Sequence, residues 1–124
     1  MIKLTFCLHR LPSLSRDAFQ RYWREQHAPL VARHASTLRI RRYVQMHSLP
    51  EGDPVNGGLR ASRGAPQDYD GVAELWWDDL DDLAAATASE AGRAASLALL
   101  EDERRFIDLA RSPLWLGREH VVIG

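Results

Sequence analysis

The stretch IKLTFCLHRLPSLSRDAFQRYWREQHAPLV (residues 2–31) changes its hydrophobic period once, and that change decides the fold. Ile2, Leu4, Phe6 and Leu8 recur every second residue, the period of a strand with one buried face. Pro12 then marks a turn, and Ser15 is a good N-cap with Asp17 favourably placed in the first turn beyond it. From there the period lengthens. At about 100° per residue, Phe19, Tyr22, Trp23, Gln26, His27, Leu30, Val31 and His34 fall on one stripe, which predicts a helix over Arg16 to His34.

The same succession returns further along. LRIRRYVQMHSL (38–49) alternates, with Leu38, Ile40, Val44 and Met46 on one face and Arg39, Arg41, Tyr43, Gln45 and His47 on the other. No pattern survives in PEGDPVNGGLRASRGAPQDY (50–69), whose prolines and glycines predict a mobile loop at 50–67, a functional flap or a disordered segment. YDGVAELWWD (69–78) reads as a third strand. DLDDLAAATAS (79–89) is a helix capped by Asp79 or Asp78, and Ser89 and Gly92 mark a break. AASLALLEDERRFIDLA (94–110) continues as helix, and SPLWLGREHVVI (112–123) is a last strand opened by Pro113.

The order is βαββαβ within one domain, residues 1–124: an α+β, ferredoxin-like plan, with helices on one face of a four-stranded antiparallel sheet. The second face would carry Thr5, Cys7, Tyr43 and Trp76, too apolar to leave in water. Packing against another copy would cover it, so the expected assembly is a homodimer.

Composition excludes several partners. Sixteen basic and seventeen acidic residues leave a net charge of -1, which gives no electrostatic reason to expect nucleic acid or an anionic membrane. No segment approaches the roughly 20 apolar residues of a membrane span, and no signal-peptide pattern precedes the first strand. The single cysteine, Cys7, precludes an internal disulfide and suits a reducing compartment, so a cytoplasmic location is expected. There is no phosphate loop, dinucleotide fingerprint, Cys/His metal array or nucleophile elbow, so neither cofactor nor metal is expected.

His27 is the residue that asks for an explanation. It lies about 50° from the centre of the helical stripe and so looks toward the sheet. Pro29 cannot donate to the Glu25 carbonyl and presses on it, and Ala28 before it is steered from helical angles. A kink or loosened turn is expected beside His27, opening a space furnished with an imidazole and aromatic walls. Such a ring can give and take protons near neutrality. A lone histidine on an apolar helix face is also commonly a core residue with both nitrogens bonded, and spacing does not choose between the two.

The residues F-x-x-Y-W-x-x-x-H-x-P-L from Phe19 to Leu30 resemble the first helix of EthD-domain proteins. YDGVAELWWDDLDDLAAA and EDERRFIDLARSPLWLGREHVVI are similar to that family's later strand, helix and closing segments. The resemblance leaves out only the 50–67 loop. It implies a dimeric α+β barrel, in which the sheets of two protomers meet face to face, and a helix–sheet pocket with His27 at the family's characteristic histidine position. The family takes its name from a protein encoded beside an ether-degrading monooxygenase system, and related members include a methylmuconolactone methylisomerase and polyketide-tailoring proteins. The partner implied is a small apolar or aromatic molecule, handled by proton transfer or by oxygen chemistry carried by the substrate.

The resemblance also implies a second catalytic histidine near His47, although strand parity sends His47 toward the dimer interface. Trp23, Tyr43 and Trp76 are the candidate substrate contacts, set against the ordinary reading of aromatics as core. Three functions follow: a cofactor-free oxidoreductase, isomerase or dehydratase using His27 as general acid and base; a non-catalytic binding protein serving a monooxygenase; and, as in related barrels, a haem protein with iron held by histidine.

Overall fold

Both strand–helix–strand units form, and they interleave. The computed structural model describes residues 1–124. Strand β1 (Ile2–Leu8) leads to helix α1 (Arg16–Tyr22), which passes through a π-helical turn (Trp23–His27) into α2 (Ala28–His34). Strand β2 (Arg42–His47), helix α3 (Pro54–Ser62) and strand β3 (Gly71–Trp77) follow. Helices α4 (Leu80–Ala88) and α5 (Glu90–Glu103), a short 3₁₀ turn and strand β4 (Leu114–Gly117) complete the chain. The strand order is β2-β3-β1-β4, every neighbour antiparallel, which is the ferredoxin-like arrangement. No helix is long and apolar enough to cross a membrane.

Register fixes the two faces of the sheet. Leu4 stands opposite Leu75, Phe6 opposite Ala73 and Leu8 opposite Gly71, and these residues face the helices. Phe6, Leu8 and Ala73 join Phe19, Trp23, Phe106 and Ile107 in one buried core. The helix bearing Phe19 and Trp23 starts where Ser15 accepts the Ala18 N–H at 3.0 Å, so its first turn is capped as the sequence leads one to expect. Thr5, Cys7, Val72 and Trp76 point the other way, and there Met46 and Trp115 are more than half exposed.

Three expectations are corrected. The face assignment along residues 38–47 is reversed in its functional half: Tyr43, Gln45 and His47 pair with Leu75, Ala73 and Gly71 and face the helices, whereas Val44 and Met46 face outward. The cause lies at Arg39, whose φ of 57° is left-handed. The strand begins only at Arg42, so alternation counted from Leu38 does not carry into it. The 50–67 segment, expected to be without regular structure, contains α3. Asp53 caps this helix by accepting the Asn56 N–H at 2.8 Å, and Arg60 pairs with Asp68 at 3.1 Å. None of its residues is buried, and its Val55 and Leu59, exposed on either side of Gly57 and Gly58, pack into no core that would mark the run as helix. The last strand stops at Gly117, leaving Arg118 to Gly124 outside the sheet.

The α4–α5 break has a steric reason. Ser89 caps α5 through the Gly92 N–H at 2.9 Å, and a Cβ on Gly92 would lie 1.6 Å from the Ala86 carbonyl oxygen. The two helices meet there closely enough to admit only glycine.

Candidate functional site

The helix passes Pro29 without breaking. In the π turn the Ala28 N–H reaches back five residues to the Trp23 carbonyl, and Ala28 keeps right-handed helical angles (φ -57°, ψ -45°). The anticipated departure of Ala28 from the helix therefore does not occur. A locally widened turn gives room to the proline ring, which would otherwise press on the Glu25 carbonyl. His27 closes this turn, and Trp23 opens it.

His27 is only 5% exposed, and its Nδ1 lies 2.7 Å from Oδ2 of Asp102 on α5. The other oxygen of that carboxylate accepts from the Tyr22 hydroxyl at 2.6 Å and from Arg105 at 3.2 Å. Burial acts to raise the Asp102 carboxyl, but hydrogen bonds from Tyr22, His27 and Arg105 outweigh it and hold the group below the usual carboxylate range. Burial, opposed by Asp102, lowers the His27 imidazole below its ordinary value. At neutral pH the pair is thus a carboxylate and a neutral ring. The carboxylate can only accept, so the ring's proton sits on Nδ1. Nε2 has no hydrogen-bond partner in the protein and carries the lone pair.

That ring borders a hollow of about 50 Å³ between helix and sheet, walled by Phe6, Trp23, Val31, Tyr43, Leu75 and Glu103 among others. A second, larger cavity of about 240 Å³ adjoins it and shares Phe6, Leu75, Leu99 and Glu103 with it. Leu38, Ile40, Trp77 and Leu114 line its far side. The hollow has no room for a porphyrin beside His27, so the residues present do not fit haem. No three His, Cys, Asp or Glu side chains converge in the manner of a metal site.

Of the residues singled out from sequence, His27, Trp23 and Tyr43 come together at the hollow. His47 does not border it. It stacks on Trp23 with ring centroids 4.5 Å apart, and its Nε2 meets Gln45 Oε1 at 2.8 Å. The Gln45 amide N–H₂ in turn donates to the Trp23 carbonyl and the Tyr43 hydroxyl. His47 faces the helices rather than the outer face of the sheet, and buttresses the Trp23 wall; its buried Nδ1 has no partner. Burial, and then the charge of Arg24, lower its imidazole below the ordinary value. Gly71, opposite His47, is required by the same wall, because a Cβ there would lie 2.4 Å from the Trp23 ring.

Trp76, read from sequence as a ligand contact, lies on the opposite face of the sheet. Lys3 and Arg42 sit over its ring at 5.0 and 4.8 Å, and its Nε1–H donates to Glu119 at 2.5 Å. Sequence reasoning missed Asp102 and Glu103, and placed Tyr22 on the helical stripe without its hydrogen bond to Asp102. The two carboxylates stand in the run EDERR, which looks like solvated charge. Only the place of that run at the end of an apolar helical stripe could have hinted otherwise.

The sequence profile of the EthD domain matches residues 11–110. The chain belongs to the EthD family. Its fold is similar to that of an ethyl tert-butyl ether d (EthD) family protein from Bacillus halodurans C-125, at 20% identity and a TM-score of 0.61, covering 97% of this chain and 100% of that one. An EthD-like protein from Ralstonia eutropha JMP134 is similar at 17% identity and a TM-score of 0.63, covering 98% and 94%. A dimeric protein of ferredoxin-like fold from Bacteroides fragilis NCTC 9343 is similar at 8% identity and a TM-score of 0.59, covering 95% of each chain. Among curated proteins, none matches the chain.

Proposed function

We propose that this EthD-family protein is a cofactor-independent enzyme acting on a small cyclic or aromatic compound, of isomerase, dehydratase or oxidoreductase type, with His27 as general base and then general acid. One observation carries the reading: Asp102 occupies Nδ1 of His27 and leaves Nε2 free beside an apolar hollow. An ionised, buried orienting carboxylate fixes the tautomer and steadies the imidazolium that forms when Nε2 takes a proton. Trp23 and Tyr43 are the proposed substrate-facing aromatics, and His47 acts through Trp23. The test is substrate capture followed by turnover. Ligands carried through purification are identified by mass spectrometry and offered back to the protein. His27→Ala should then lose roughly 10²–10⁴ in rate. Unchanged turnover in that variant removes the mechanism.

A second reading has support in the apolar lining: a non-catalytic holder of a hydrophobic metabolite for a partner monooxygenase. It requires full ligand affinity in His27→Gln and no turnover of the captured compound.

The proposed protein is a homodimer, joined through the outer sheet face that carries Trp76, Trp115, Val44 and Met46. The structural relative from Bacteroides fragilis is described as dimeric, which supports this. Sedimentation should give a species of twice the chain mass, and Trp115→Glu should shift it to the monomer. A wild-type monomer at high concentration refutes the interface. A cytoplasmic setting fits the one cysteine, Cys7, whose thiol is pushed up by burial and so left unreactive.

A further inference from the structure

Glu103 is the last residue of α5 and follows the carboxylate that orients His27. Consecutive helical residues diverge by about 100°, so Asp102 can reach His27 and Tyr22 while Glu103 turns into the cavities. Its side chain borders both the hollow beside His27 and the larger apolar cavity. In the hollow beside His27 the strands opposite present Phe6, Leu8, Ala73 and Leu75, with Tyr43. The titratable groups about it are therefore Asp102 on its own helix, His27 from the π turn and Tyr43 from β2. Unlike that of Asp102, its side chain makes no hydrogen bond and no ion pair: Arg105, two residues on, is taken by Asp102. Burial, and then the neighbouring charge of Asp102, push its carboxyl up to about 7. A carboxyl that is neutral in part at physiological pH has a proton to give.

We propose that Glu103 is the second catalytic group of this pocket, an acid facing the same small hollow as the His27 base, and that the pair moves a proton along a small cyclic enone. The proposal rests on the reading of His27 as a base.

The step balances without an oxidant or a cofactor. His27 Nε2 removes a proton from the carbon between the carbonyl and the distant double bond. The C–H electrons form a new C=C, and the carbonyl oxygen takes the Glu103 proton to give a dienol. The imidazolium then returns its proton to the far carbon, the dienol O–H returns its proton to the Glu103 carboxylate, and the double bond is left conjugated with the carbonyl. Both groups end as they began. An apolar cavity of roughly 150 Å³ already admits a benzene ring, so the 240 Å³ space, which Glu103 borders and His27 does not, is large enough for a single six-membered ring whose reactive edge would enter the adjoining 50 Å³ hollow beside His27.

The experiment uses the full chain and cyclohex-3-enone, followed by the ultraviolet absorbance of the conjugated product. Wild type should isomerise it, with a rate that falls above about pH 7 as Glu103 gives up its proton. Glu103→Ala should slow turnover by about 10²-fold. Glu103→Gln, whose amide keeps a donor and the shape, should retain more activity and lose the alkaline fall. Wild-type turnover that survives Glu103→Ala but is lost in His27→Ala overturns the role of Glu103 and leaves the His27 base standing. Turnover indifferent to both variants overturns both. No isomerisation by wild type overturns the proposed pair and substrate class, and leaves His27 to be judged on its captured ligand.

Discussion

Two carboxylates are almost equally buried in this protein, Asp70 at 4% exposed and Asp102 at 6%, yet the folded chain uses them differently. Asp70, just before β3, is saturated by permanent charge. Its oxygens accept the Arg10 backbone N–H at 2.8 Å, the Arg10 guanidinium at 2.5 Å and Arg16 Nε at 3.1 Å. Its backbone N–H bonds the Leu8 carbonyl, and its carbonyl accepts from Gln20. It therefore ties the end of β1 and the start of α1 to β3, and nothing is left over for chemistry. Asp102 also accepts from a tyrosine and an arginine, but its remaining oxygen ends on a neutral histidine. A carboxylate held by fixed cations staples elements together; one that ends on an imidazole passes its orientation to a group with a free nitrogen.

Removing each charge in turn should separate the two roles. The larger loss of stability belongs to Asp70→Asn, about 3 kcal/mol by denaturant unfolding, because two arginines, one of them well buried, lose their carboxylate. Asp102→Asn should cost less, about 1–2 kcal/mol, since its arginine partner Arg105 is largely exposed and can be solvated. Its effect on turnover should run the other way. An amide at that position donates to Nδ1, moves the ring proton to Nε2, and should reduce the rate by roughly 10²-fold or more, whereas Asp70→Asn should leave the rate of the folded fraction near wild type. Equal activity losses in the two variants would dissolve the distinction. The pH dependence has one sign for both wild-type groups. Each carboxyl is held below its ordinary value, so the stability it contributes is present above about pH 4 and is lost as the pH falls through the folded value.

How much of this could be read from sequence depends on the range of the interaction. The long first helix was legible, because the Ser15 cap, the apolar spacing from Phe19 to Val31 and the position of His27 are all local. The βαββαβ order followed from period changes of the same kind. The turn beside Pro29 was expected as a kink, and exists as a widened π turn that keeps the helix whole. Helix α3 was not legible, since capping and the Arg60–Asp68 pair hold it rather than a buried apolar face. The face of Tyr43 and His47 was misjudged because one left-handed residue, Arg39, interrupts the alternation. The partner of His27 lies 75 residues away, and no period along the chain singles out Asp102 from the acidic residues beside it. Fold came from local pattern; the site needed contacts made across the fold.

The account depends most directly on the state of the two histidine rings, which ¹⁵N-resolved NMR of the purified protein reads at pH 7. The prediction is a neutral His27 with its proton on Nδ1, bonded to Asp102, and a bare Nε2. His47 should show the opposite tautomer, its Nε2–H donating to Gln45 Oε1. A His27 proton found on Nε2, or a ring that is an imidazolium at that pH, would contradict the claim that Asp102 prepares this nitrogen to take a proton.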